Sequence, residues 1–131
     1  DAKGNMIRLH YNEEAHVIGS EVSDTMKALL EKVISEGTGK KCFIEGYRIG
    51  GKTATSQKLP RGSGKYIASF IGFAPADNPE IIGIVLIDEP TGAYYGGTVA
   101  APVMREIFEN VLPYYLGQWP DIESDSGDGN E

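Results

Sequence analysis

The chain is poor in the residues that most often carry chemistry: 131 residues hold one cysteine, two histidines and one tryptophan. A lone Cys42 excludes an internal disulfide and a cysteine-based zinc site. Its setting, Cys42-Phe43-Ile44, predicts a small buried hydrophobe rather than a reactive thiol. His10 and His16 stand in a polar lead-in without metal-binding spacing, so both read as surface histidines and no metal is expected. No run approaches the ~18 apolar residues of a membrane-crossing helix. The start lacks a signal-peptide pattern, although it opens abruptly at Asp1-Ala2-Lys3-Gly4-Asn5, like a piece cut from a longer chain. Basic excess is missing too. The formal net charge is −7, and Asp121, Glu123, Asp125, Asp128 and Glu131 supply five of those charges, leaving −2 for residues 1–120. A nearly neutral body gives no footing for nucleic acid, and no nucleic-acid partner is expected.

Glycine and proline are plentiful. Seventeen glycines and seven prolines imply many turns and short elements, within a length that allows one domain with a core of its own. Residues 1–19 read as an extended lead-in. Over residues 20–36, Val22, Met26, Leu29, Leu30, Val33 and Ile34 recur at helical spacing, with Ser20 or Ser23 able to cap the start and Gly37 the end. That apolar stripe reads as core, and Lys27 with Glu31 as a weak solvent-facing pair. Cys42-Phe43-Ile44 reads as a short edge. Tyr66–Phe73 and Ile81–Ile87 are β-branched and aromatic runs separated by Ala74-Pro75-Ala76-Asp77-Asn78-Pro79, hence antiparallel neighbours. The second run is apolar nearly throughout, which predicts cover on both faces. A second helix follows the loop Pro90–Gly97, with Thr98 able to cap it, Pro102 in its first turn and Pro113 near its end. Residues 118–131 are acidic, glycine-rich and too polar to bury a core, so they are expected to be disordered.

The chain turns on Gly46-Tyr47-Arg48-Ile49-Gly50-Gly51-Lys52-Thr53-Ala54-Thr55-Ser56-Gln57, where glycines, a lysine and several hydroxyls concentrate. Two chemistries fit it. Gly46, Gly51, Lys52 and Thr53 match the G-x-x-x-x-G-K-[ST] phosphate loop of nucleotide hydrolases, with Asp88 and Glu89 as the magnesium-side acids. Lys52-Thr53-Ala54-Thr55 also matches the K-T-G strand of serine acyl-transferring enzymes, with alanine in place of glycine. A phosphate loop must open a helix at once. The residues after Lys52 are threonines and a serine of poor helix propensity, closed by Pro60. The strand reading is favoured, placing Lys52, Ala54 and Ser56 on one side and Thr53, Thr55 and Gln57 on the other. Arg61 and Lys65 read as solvated charges, and Tyr94 and Tyr95 as packing or cleft-rim residues.

The order of elements and the local wording together resemble the C-terminal half of the transpeptidase domain of class B penicillin-binding proteins, of the division and sporulation type. The resemblance is carried by Ser35-Glu36-Gly37-Thr38-Gly39, Gly46–Thr53, Tyr66–Pro79 and Tyr95–Pro102, within residues 20–117. It implies an α/β fold of the α+β type: an antiparallel sheet flanked by helices, part of the penicillin-binding-protein and serine β-lactamase fold. It also implies a bacterial peptidoglycan D,D-transpeptidase that cross-links stem peptides through an acyl-serine intermediate and binds β-lactams. No cofactor is implied. The family's S-x-x-K and S-x-N motifs are absent here, so the nucleophilic serine and its lysine base would lie upstream and the piece alone would be inactive.

Lys52, Thr53, Ala54 and Thr55 would then bind the carboxylate and oxyanion of D-Ala-D-Ala or a β-lactam, with Gly51, Ser56 and Gln57 as further cleft residues. The upstream half of the domain, or a swapped second copy, would cover bare edges. The parent would work on the outer side of the cytoplasmic membrane, anchored by an N-terminal segment outside this chain. A non-catalytic β-lactam sensor or structural domain on the same fold is the non-enzyme alternative.

Overall fold

A computed structural model describes residues 17–115. The expected lead-in, for residues 1–16, and the expected acidic tail lie outside the described residues. Helix α1 spans Ser20–Ser35, followed by a 3-10 turn at Lys40–Cys42, strands β1 (Gly50–Gln57), β2 (Tyr66–Ala74) and β3 (Ile81–Asp88), and helix α2 (Gly96–Tyr115). The strands form one antiparallel sheet in the order β1-β2-β3. Register runs from Gly50 opposite Phe73 to Gln57 opposite Tyr66, and from Ile67 opposite Asp88 to Ala74 opposite Ile81. Short connections make this meander the expected outcome for both hairpins. Gly62 and Gly64, at φ +89° and +71°, supply the left-handed residues that the β1–β2 connection needs.

Alternation along the strands sorts the side chains. Ala68, Phe70, Ala74 and Val85 point to the inner face, where α2 packs Ala100, Ala101, Met104, Phe108 and Leu112 onto them. Glycines allow the helix to come close: a Cβ at Gly72 would meet the Phe108 ring at 3.0 Å, and one at Gly83 the Met104 methyl at 3.1 Å. Ile34, at the end of α1, closes the core beside Gly39 and Gly51. Cys42 is fully buried in this core, but in the 3-10 turn rather than in the short edge expected for Cys42-Phe43-Ile44. The turn forms because Cys42 N–H reaches the Gly39 carbonyl at 2.8 Å and Phe43 N–H the Lys40 carbonyl at 3.0 Å.

Two expectations about cover fail in the same way. The helical stripe of α1 is only part core: Ile34 is buried, whereas Val22, Met26 and Leu29 are exposed. On β3 the outward Ile82, Ile84 and Leu86 are 62–70 % exposed, although the run is apolar nearly throughout. Among the described residues nothing covers that outer face. Glu31 also departs from expectation. It pairs not with Lys27 but with Arg48, whose Nη2 lies 2.7 Å away, while Lys27 bonds Asp24 at 2.8 Å. Arg48 reaches on to Asp77 at 2.8 Å, so one guanidinium ties α1, the approach to β1 and the β2–β3 turn. Helix α2 starts at Gly96, earlier than Thr98, with the Tyr95 carbonyl accepting the N–H groups of Thr98 and Val99. Pro102 therefore falls inside the helix rather than in its first turn.

Candidate functional site

Thr53 is the fourth residue of β1, in the middle of a strand. A phosphate loop would require a helix to open there, with its N–H groups gathered on the phosphates; the backbone instead pairs with β2 through Gln57. Asp88 and Glu89, the acids of that alternative, hold lysines: Lys58 Nζ lies 2.9 Å from Asp88 Oδ1 and 2.8 Å from Glu89 Oε1, and Lys65 Nζ 3.0 Å from Glu89 Oε2. Lys65 is thus ion-paired rather than freely solvated.

Alternation divides the motif strand between two faces. Thr53 and Thr55 point inward, into a recess of about 390 Å³ lined also by Thr38, Lys40, Lys41, Tyr95 and the start of α2 from Gly96 to Thr98. Thr53 Oγ1 and Thr38 Oγ1 are 3.0 Å apart. Gly96 N–H donates to Thr55 Oγ1 at 3.1 Å, so one hydroxyl of the motif is fixed by the first residue of α2. Gly96 has to be glycine for this approach, because a Cβ there would collide with the Ser69 and Ala54 carbonyl oxygens. At Gly97 a Cβ would collide with the Thr38 carbonyl, which brings the Gly37–Gly39 loop to the same rim.

The other predicted residues lie elsewhere. Lys52 is exposed on the outer face with Ala54 and Ser56, and its Nζ donates to the Thr53 carbonyl at 2.6 Å. Gly51 is buried behind the strand, where a Cβ would meet the Ile71 carbonyl at 2.7 Å and the Phe70 ring at 2.8 Å. Gln57 is exposed at the end of β1. The recess therefore gathers Thr53 and Thr55 and leaves out Lys52, Ala54, Ser56 and Gln57. Sequence reasoning missed Thr38, Lys40 and Lys41 as recess residues. The tight Gly37-Thr38-Gly39 spacing was a usable signal, since two glycines around one hydroxyl mark a close approach.

Tyr94 stacks on Tyr66 with ring centroids 4.1 Å apart, and Tyr95 tilts against Tyr94 at 4.6 Å. The hydrogen bond between the two hydroxyls, 3.4 Å apart, holds the proton on Tyr95 and raises its pKa. A larger groove of about 450 Å³ lies away from these hydroxyls, between α1 and the far end of the sheet, with Met26, Leu30, Phe73 and Ile82 in its mostly apolar wall. Its composition is that of a packing surface rather than a polar site.

Residues 3–109 match the family model of the penicillin binding protein transpeptidase domain. The chain belongs to this family. Among curated relatives, it is 48 % identical over 101 residues to stage V sporulation protein D of Bacillus subtilis, a match spanning 74 % of the chain and 16 % of that protein. It is 37 % identical over 120 residues to a probable peptidoglycan D,D-transpeptidase PenA of Neisseria flavescens, covering 83 % of the chain and 30 % of the relative. The chain thus spans a sixth to a third of the length of these relatives. Among solved structures, the transpeptidase domain of the FtsI4 D,D-transpeptidase from Legionella pneumophila superposes with a TM-score of 0.66 at 35 % identity, covering 72 % of this chain and 37 % of that one. The penicillin-binding protein 3 transpeptidase domain of Burkholderia pseudomallei gives a TM-score of 0.60 at 40 % identity, covering 73 % and 30 %. The three-stranded antiparallel sheet with its two helices is accordingly part of the transpeptidase fold that the resemblance implies.

Proposed function

We propose that this chain is the C-terminal part of a peptidoglycan D,D-transpeptidase domain, and that β1 is the strand on which the donor peptide or a β-lactam lies. The observation that carries this reading is the pair Thr53 and Thr55, side by side in a polar recess on a strand that, among the described residues, pairs only with β2. An edge strand offers alternate unpaired backbone groups to an extended peptide, and the two hydroxyls suit a carboxylate at its end. The reaction is acyl transfer. A serine oxygen attacks the carbonyl between the two terminal D-alanines, the last D-alanine leaves, and an amine of a second stem peptide takes the acyl group. The serine and its lysine base belong to an upstream half.

On this reading Thr55 N–H is one of the two donors to the oxyanion, a role worth about 3–4 kcal/mol of barrier. Lys52 supplies charge from the outer face, and Ala54, Ser56, Gln57 and Gly51 shape the strand around them. The upstream half also accounts for the bare outer face at Ile82, Ile84 and Leu86 and for the exposed stripe of α1, with a swapped second copy as the other occupant. Cross-linking of this kind takes place outside the cytoplasmic membrane. The anchor of such a parent would be an N-terminal segment. No helix of the described residues is long and apolar enough to cross a membrane.

The test is labelling with a fluorescent penicillin, of the chain alone and of the chain mixed with the upstream half of its parent. The expected result is label on the upstream half only in the mixture, lost with Lys52→Ala or Thr53→Val. A mixture that assembles and takes no label refutes the assignment. A mixture that takes the label but cross-links no added stem-peptide substrate indicates a sensor rather than a transpeptidase.

A further inference from the structure

Glu89 stands at φ +48°, the left-handed region that costs a residue with a side chain and suits glycine. It is the lone such non-glycine residue among the described residues. What the side chain does there is visible. Lys58 Nζ binds Asp88 at 2.9 and 3.0 Å and Glu89 at 2.8 Å, and Lys65 Nζ binds the two Glu89 oxygens at 3.2 and 3.0 Å. The backbone joins in: Glu89 N–H reaches the Tyr66 carbonyl at 2.9 Å, and Lys58 N–H the Lys65 carbonyl at 2.8 Å. Lys58 directly follows β1, so the clamp ties the end of the motif strand to the end of β3 across β2.

From this clamp the chain runs through residues 90–95 and returns to the same strand, where Gly96 N–H meets Thr55 Oγ1 at 3.1 Å. Tyr94 is held on the way by its stack on Tyr66. Thr55 and Lys58 are three residues apart, roughly 10 Å along a strand, while the connection between their partners is long enough to adopt many other paths. Pinning it at both ends selects one. A single exposed ion pair would hold weakly, but here two lysines converge on one carboxylate and a second carboxylate shares one of them.

We propose that Glu89, through Lys58 and Lys65, is a positioning residue that sets Tyr95 and Gly96 against Thr55. The proposal rests on the reading of β1 as the substrate strand only for its effect on acylation; its structural part stands by itself. Glu89→Gly is the discriminating variant, because glycine accepts the left-handed backbone while removing the carboxylate, and Lys58→Gln breaks the same contacts without changing the backbone at residue 89. Two readouts separate the outcomes. In the full chain, amide hydrogen exchange at Gly96 is expected to speed up several-fold in Glu89→Gly and in Lys58→Gln, with no fall in melting temperature for Glu89→Gly. In the chain mixed with its upstream half, penicillin acylation is expected to slow roughly tenfold, the scale of a small misplacement at a reacting group. High salt should bring the wild type towards the variants, since it screens the exposed charges. Unchanged Gly96 exchange in Glu89→Gly overturns the proposal whatever the labelling shows. A wild-type mixture that takes no label sinks the transpeptidase reading and leaves the exchange result to decide the clamp.

Discussion

Gly96→Ala tests the joint on which the recess depends. A methyl group at this position would lie far inside contact distance of the carbonyl oxygens of Ser69 and Ala54, and 3.2 Å from the Ala54 nitrogen. All three are backbone atoms of paired strands, so no side chain can swing away to make room. The start of α2 must lift instead, and with it the hydrogen bond from Gly96 to Thr55. Forcing a methyl group into a packed position costs about 1–3 kcal/mol, and losing the bond about 0.5–1.5 kcal/mol. The two together give roughly 2–4 kcal/mol, or a fall in Tm of about 8–20 °C for a domain of this size. Thermal and urea unfolding of the full chain measure it. Gly19→Ala is the control: it is the N-cap of α1, its φ is −67° and a Cβ there meets nothing within 4 Å, so it should cost no more than the ~0.5–1 kcal/mol of a poorer cap. A Gly96→Ala chain as stable as that control would refute the close approach of α2 to the two strands.

Two further predictions follow from titrating groups. Burial pushes the Cys42 thiol up to about 12, so a thiol reagent at pH 8 should find no reactive cysteine in the folded chain and one after denaturation; rapid labelling of the native chain would contradict the packing around the 3-10 turn. Hydrogen bonding to Arg48 lowers the Glu31 pKa, so the pair contributes fully above the ordinary glutamate pKa of about 4.3 and is lost as pH falls through the lower folded value. The stability gap between wild type and Arg48→Met should therefore shrink as pH drops below about 4, and a gap that stays constant to the onset of acid unfolding would refute the assignment.

How much of the fold and the site is legible in the sequence depends on the range of the interaction. Helix α1 is readable because its apolar spacing is local. The phosphate-loop alternative is weak on local grounds alone, because threonines and a nearby proline oppose a helix at Thr53. Period-two alternation also places Thr53 and Thr55 together. Other features need residues distant in the chain. Nothing local to Gly96 says that its nitrogen meets Thr55, 41 positions earlier. The spacing of Lys27 and Glu31 suggests a helical pair, and only the fold brings Arg48 closer to Glu31. The α1 stripe and the outward side of β3 read as covered because apolar residues imply burial. That inference assumes that the covering partner is in the same chain, and among the described residues it is not.

The bare face and the position of Lys52 belong to one argument. Strand alternation cannot put Lys52 and Thr53 on the same side, so a single-faced site could use one or the other but not both. The hydroxyls of Thr53 and Thr55 look into a recess that this chain builds by itself, with Thr38 and the start of α2. Lys52 looks out on the opposite face, the one that also presents the uncovered Ile84 and Leu86. A substrate lying along the free edge of β1 would meet both faces at once, since an edge is where they join. On the proposed reading, the hydroxyl side is complete in this chain and the lysine side is completed by the body that covers the apolar face. The motif strand then sits at the seam between the two halves, and reconstitution with the upstream half should change the surroundings of Lys52 far more than those of Thr53.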